Sequence, residues 1–247
     1  MNRLNKAQKD KVVQFSEKAA YECLKLASWG VDAGIDYFYT SGQQCAASSS
    51  VDPRALEALY QSYKASGEDM MLADGVCRFC EDLEVDPADV IMLIISYHMN
   101  AAVMCEFSKE EFTSGMLKMG CDSVAKLKSK IPELRKETKS NERFRELYNF
   151  AYLFAREKDK KFVSLETANA MWQLLFSGDQ AWPLIADWCA FLEGSHAGKA
   201  ISKDTWSQLL DFAKTVKADF SNYDDNSAWP YLLDEFVDHV KAQRTMS

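Results

Sequence analysis

Apolar residues recur along this chain at intervals of three and four, broken by short polar stretches, which is the period of helices that bury one face. Over residues 8–39 that period puts Ala19, Ala20, Cys23 and Leu24 on one face and Ile35 and Phe38 on another, which predicts a compact three-helix unit. Residues 42–50, reading GQQCAASSS, carry no hydrophobic period and have the small polar composition of a linker. Asp52 before Pro53 gives an N-cap and a first helical position, and Leu56, Leu59, Tyr60 and Tyr63 follow at helical spacing. Asp86 and Pro87 repeat that start signal ahead of Val90, Leu93, Ile94 and Tyr97, so a second, largely buried helix is expected there. The expected fold class is all-α, with a small unit over residues 1–42, a linker over 43–54 and a main domain over 55–247.

Within the main domain a hydrophobic residue followed by an N-cap serine and a new helix occurs three times, as Phe107-Ser108, Val163-Ser164 and Ile201-Ser202. This resembles the exit of an EF-hand loop, in which the eighth residue pairs with a partner loop and the twelfth gives calcium a bidentate carboxylate. With Phe107 as the eighth residue, positions one, three and five are Asn100, Ala102 and Met104, and Cys105 stands where the turn glycine belongs. With Val163 they are Arg156, Lys158 and Lys160, and with Ile201 they are Gly194, His196 and Gly198. Too few of these side chains carry the oxygens calcium requires, so EF-hand-like helical pairs without metal are expected.

Composition narrows the function. Asp plus Glu outnumber Lys plus Arg by 37 to 29, and a net charge of -8 disfavours a nucleic-acid partner. The opening MNRLNKAQKDKVVQF is too polar for a signal peptide, and no segment has the apolar length of a membrane span, so an intracellular protein without a membrane partner is expected. Seven cysteines are an odd number, and reduced thiols packed as small hydrophobes are the expectation. Cys77-Arg78-Phe79-Cys80 has metal spacing, but no second pair and no suitably spaced histidine follows it. Only His98, His196 and His239 could orient a nucleophile, and none sits in a nucleophile motif. Neither a cofactor nor an active site of its own is therefore expected.

Two stretches have the chemistry of surfaces. Residues 76–107 are dense in Met, Ile, Cys and Phe, which suits an adaptable groove as well as it suits ordinary core. Between Lys203 and Asp238 eight carboxylates face three lysines, interleaved with Trp206, Tyr223, Trp229 and Tyr231 beside the small Ala228. Acids with aromatic anchors have the composition of an interface for a basic partner, although a charge run is also what a solvated helix face looks like.

Cys105-Glu106-Phe107-Ser108-Lys109, Met119-Gly120-Cys121-Asp122-Ser123, Lys203-Asp204-Thr205-Trp206, Ser221-Asn222-Tyr223-Asp224 and Ala228-Trp229-Pro230 closely resemble the defective-in-cullin-neddylation family over roughly residues 55–240. The resemblance implies an all-helical potentiating neddylation domain with EF-hand-like pairs. It also implies a co-ligase, a scaffold that binds a cullin and the neddylation conjugating enzyme together so that a ubiquitin-like modifier reaches a cullin lysine. By the same resemblance Asp204, Ala228 and Asp234 form the patch that binds the basic C-terminal region of a cullin. Val76, Met92, Ile95, Cys105, Phe107, Phe154 and Leu174 would form a pocket for the conjugating enzyme's acetylated N-terminal methionine, flanked by Ser96 and Met99. The block over residues 1–42 resembles a ubiquitin-associated domain, with its first loop shortened to little more than Phe15-Ser16-Glu17, and would bind ubiquitin. The family setting implies both cytoplasm and nucleus. From a different class, a calcium sensor of EF-hand type is the alternative.

Overall fold

The computed structural model describes residues 51–246 apart from Lys158 and Asn226. The three-helix unit expected over residues 1–42, and the linker up to residue 50, lie outside the described residues, as does Lys158 of the loop register. Among the described residues there are ten α-helices and two two-stranded ribbons, so the fold is all-α.

Helix α1 (Pro53–Tyr63) starts as expected, with the Asp52 carboxylate accepting from the Arg54 N–H and Pro53 in the first turn. It leads through β1 (Met70–Met71) into α2 (Ala73–Leu83). Helix α3 (Val90–Met99) passes through β2 (Phe107–Ser108) into α4 (Lys109–Lys118). The ribbon between these halves is antiparallel, with Met71 opposite Phe107 and Met70 opposite Ser108. Helix α5 (Val124–Leu134) and a short 3-10 turn (Arg135–Lys139) connect to the second pair. There α6 (Asn141–Phe154), β3 (Val163–Ser164) and α7 (Leu165–Leu175) face α8 (Ile185–Ser195), β4 (Ala200–Ile201) and α9 (Lys203–Thr215). Val163 lies opposite Ile201 across the second ribbon. Helix α10 (Tyr231–Met246) follows, with Phe236 against Trp188 and Phe191 of α8.

All three loop exits read from the sequence are found, and Ser108, Ser164 and Ser202 each cap a helix through their hydroxyls. The fourth, at Met71, has Leu72 at the cap position with no side-chain hydrogen bond, so it carried no serine signal. Its register is fixed sterically instead. A Cβ on Gly75, the twelfth position of that loop, would lie 2.1 Å from the Tyr63 carbonyl oxygen, so only glycine lets α1 and α2 approach this closely.

One start signal misplaced a helix. Asp86 and Pro87 form a turn, in which the Asp86 carboxylate accepts from the Ala88 N–H, and α3 begins four residues later with Asp89 as its cap. Aspartate supports a turn and a cap by the same local bond, so the pair was ambiguous. The helix itself is buried nearly all round, as its apolar run implied.

Candidate functional site

The acidic stretch becomes a structured surface at the junction of α9 and α10. Asp204 sits exposed in the first turn of α9, next to the Ser202 cap. Phe212, eight residues or about 12 Å further along the helix, is fully buried. Trp229 and Tyr223 pack edge-on against it at 5.5 and 6.2 Å. That cluster brings Ala228, exposed beside Trp229, together with Asp234, whose carboxylate accepts a short hydrogen bond from the Tyr223 hydroxyl. Burial, then the bond to Asp234, pushes the Tyr223 phenol well above its ordinary pKa, so it stays a donor to Asp234 throughout the physiological range.

The fold sorts the aromatic residues that the sequence had grouped. Trp206 is fully buried, its indole N–H donating to the Tyr148 carbonyl oxygen at 3.0 Å, so it belongs to the core. Tyr223 and Trp229 are half-buried supports, and Tyr231 alone of the four stands exposed, at 75 %. The acids divide as well: Asp211 pairs with Arg145 at 2.6 Å, and Asp225 lies 3.7 Å from Lys241.

The seven residues of the apolar set come from α2, α3, the entry to α4, α6 and α7. Six belong to one continuous apolar core or pack against it. Ile95 and Phe107 are fully buried, Val76, Met92 and Phe154 keep a little surface, and Leu174 is half-buried. Phe154 stacks on Phe150 at 5.2 Å, and Phe150 meets Tyr97 of α3 edge-on at 5.5 Å, which ties α6 to α3. Cys105 is exposed and holds a left-handed backbone, φ 61°, at the place of the EF-hand turn glycine. Burial raises the neighbouring Cys80 thiol to about 11, with Cys77 and Cys105 nearby, so Cys80 stays protonated and unreactive. Ser96 and Met99, which flank the set, are both buried, and the Ser96 hydroxyl donates to the Met92 carbonyl oxygen at 2.8 Å. Most of residues 76–107 is therefore core, and any groove is confined to its partly accessible members.

Glu111 is a residue whose place the sequence signalled and whose role it did not. It occupies the twelfth position of the second loop, where an EF-hand carboxylate would hold calcium. Here one oxygen accepts from the Ala102 N–H at 2.8 Å and the other from the Ser108 N–H at 2.7 Å. With Ser108 it forms a reciprocal capping box. The carboxylate thus closes the loop on backbone donors in the position a metal would take. Among the described residues no group of three or more His, Cys, Asp and Glu side chains is arranged to hold a metal, and no helix is long and apolar enough to cross a membrane. A groove of about 700 Å³, lined by Phe162, Leu165, Asn169, Gln173 and Glu193 among others, lies beside the second ribbon and contains none of the residues of either surface.

A family model described as cullin binding matches residues 126–239, which run from within α5 into α10 and include Asp204, Ala228 and Asp234. DCN1-like protein 4 of Drosophila melanogaster is 40% identical over 189 residues, covering 76% of this chain and 75% of the relative. DCN1-like protein 5 of Homo sapiens is 39% identical over 184 residues, 74% of this chain and 76% of the relative. DCN1-like protein 3 of Homo sapiens is 35% identical over 230 residues, 92% of this chain and 73% of the relative. The chain belongs to the DCN1-like, cullin-binding family, the family of cullin neddylation whose motifs its sequence resembles.

Proposed function

We propose that this protein is a scaffold-type co-ligase of cullin neddylation, holding a cullin and the neddylation conjugating enzyme together while contributing no bond-making group. The reading rests on one observation above the others. The cullin-binding match encloses a surface on which Asp234 is held in place by Tyr223, beside an exposed Ala228 that leaves room for a partner side chain. Carboxylates fixed before a partner arrives lose less conformational freedom on binding, and they steer a basic partner during approach.

The second partner would use the partly accessible apolar set of Val76, Met92, Phe154 and Leu174 over the floor of Ile95 and Phe107, with Cys105 at the edge. Acetylation removes the charge of an N-terminal amine, and a charged amine in such a site would cost several kcal/mol, so the modification acts as an admission ticket. Simultaneous docking raises the effective concentration of the thioester at the cullin lysine and restricts its orientation, which can supply orders of magnitude in rate. In this reading residues 55–247 are the co-ligase domain. A ubiquitin-associated-like unit over residues 1–42 and a linker over 43–54 precede it, and the small unit offers a third contact, to ubiquitin. The setting is the cytoplasm and nucleus.

A reconstituted transfer assay tests the proposal, with the full chain, a cullin, the charged conjugating enzyme and the modifier. The full chain is expected to raise the initial rate at least tenfold. The double variant Asp204→Lys with Asp234→Lys, folded by circular dichroism, is expected to return the rate to baseline and to lose cullin binding. Transfer at the full rate by that variant would remove the acidic surface from the mechanism.

A further inference from the structure

Helix α10 opens with an aromatic ring that the core does not use. Tyr231 is 75 % exposed, well beyond Leu153 and Phe162 at 47 % and Leu117 at 41 %. A lone exposed apolar residue is ordinary, but the surroundings of this one are not. Asp234, Glu235 and Asp238 follow at three, four and seven residues, so they share the face of α10 that Tyr231 begins, and exposed Ala228 lies just before it in the chain. The Glu235 carboxylate, one helical turn on, raises the Tyr231 phenol's pKa and keeps it protonated, while the ring stays uncovered.

This part of the molecule already pairs rings with cations. Lys241 lies 5.3 Å from the centre of the Tyr223 ring, and Arg244 lies 5.3 Å from that of Phe220, both cations being supplied by α10 itself. Among the described residues no cation of this chain is placed over Tyr231. An uncovered ring with Glu235 and Asp238 on the same helix face, Asp234 being engaged by Tyr223, suits a cation brought by another molecule: the ring face attracts the charge, and the acids neutralise it.

We propose that Tyr231 is a specificity-determining contact for the cullin, its ring receiving a lysine or arginine side chain of the partner's basic surface while Glu235 and Asp238 take up the charge. The proposal rests on the cullin-docking reading of this surface and names a residue outside the Asp204, Ala228 and Asp234 set. It predicts discrimination among cullins by whether a cation stands opposite Tyr231.

The test measures cullin affinity by titration calorimetry on the full chain carrying Tyr231→Ala, Tyr231→Leu or Tyr231→Phe, beside Asp204→Lys with Asp234→Lys. All three Tyr231 variants should melt like the parent, because the ring is exposed. Expected are a loss of about tenfold for Tyr231→Ala, a similar loss for Tyr231→Leu, and affinity within about twofold of the parent for Tyr231→Phe, which keeps the ring. Unchanged binding by Tyr231→Ala, with binding abolished in the aspartate double variant, overturns this inference and leaves the docking reading standing. Parent-like binding by Tyr231→Leu shows apolar contact without a cation and also overturns it. Unchanged binding by the aspartate double variant overturns the docking reading, and this inference with it.

Discussion

The first helix pair buries Met71, Met99 and Met116 together with Tyr60, Phe79 and Phe112, whereas the second buries Trp172, Trp188 and Trp206 together with Tyr148. In the second pair Trp172 and Trp206 are locked by direction as well as by shape. Trp172 stacks on Trp206 at 5.0 Å, and its indole N–H donates to the Tyr148 hydroxyl at 2.8 Å. That hydroxyl in turn donates to the Trp206 carbonyl oxygen at 2.8 Å. Methionine is flexible and polarizable and fills irregular space without fixing it, while a hydrogen-bonded indole tolerates one arrangement. The same supersecondary unit has thus been filled twice, once adaptably and once rigidly. The contrast fits the proposed division of labour, in which the Trp-filled pair carries Asp204 on α9 and packs against α10 with its Asp234, and the adaptable pair, with its neighbours on α6 and α7, would admit an apolar chain end.

The sharpest way to break this comparison is to hollow the second core. Trp172→Ala removes a fully buried ring and leaves the Tyr148 hydroxyl one partner short. We expect a loss of about 3–5 kcal/mol in urea unfolding followed by circular dichroism, and the second pair is not rigid in the sense argued if the loss stays below about 1 kcal/mol.

The adaptable side is probed by ligand. A peptide with an acetylated N-terminal methionine should bind the chain at least about tenfold more tightly than its free-amine form at pH 7, since the amine must shed either its proton or its burial. Equal affinities in fluorescence anisotropy would reject charge-gated entry. The smallest effect expected is at the loop of the first pair. Glu111→Gln keeps one acceptor but turns an amide N–H2 toward a backbone donor, at Ala102 or at Ser108, and should cost about 1 kcal/mol in thermal unfolding. Calcium should leave the melting temperature of the parent unchanged, because the carboxylate is already engaged.

Local signals in the sequence located much of this. The serine caps at positions 108, 164 and 202, the buried run of α3 and three of the four ribbon strands all follow from bonds or periodicities that act over a few residues. Where two outcomes share one local cause, as at Asp86 and Asp89, the sequence put the cap too early. The candidate surfaces were legible through residue type and family motif. Which members of the acidic stretch are exposed was not, because Trp206 and Tyr231 look alike as aromatic residues among acids and differ only in what packs against them.

The order of polar and apolar residues by itself settled an all-helical chain with paired loop-exit ribbons, since helix period, capping and turn formation are short-range effects. Only the tertiary structure decided that Asp234 is held by Tyr223 from eleven residues away, that Asp211 is taken by Arg145 from sixty-six, and that Tyr231 is left bare. Those outcomes depend on helices brought together by burial of the core, and the contacts that result are set by packing over distances along the chain that no local pattern records.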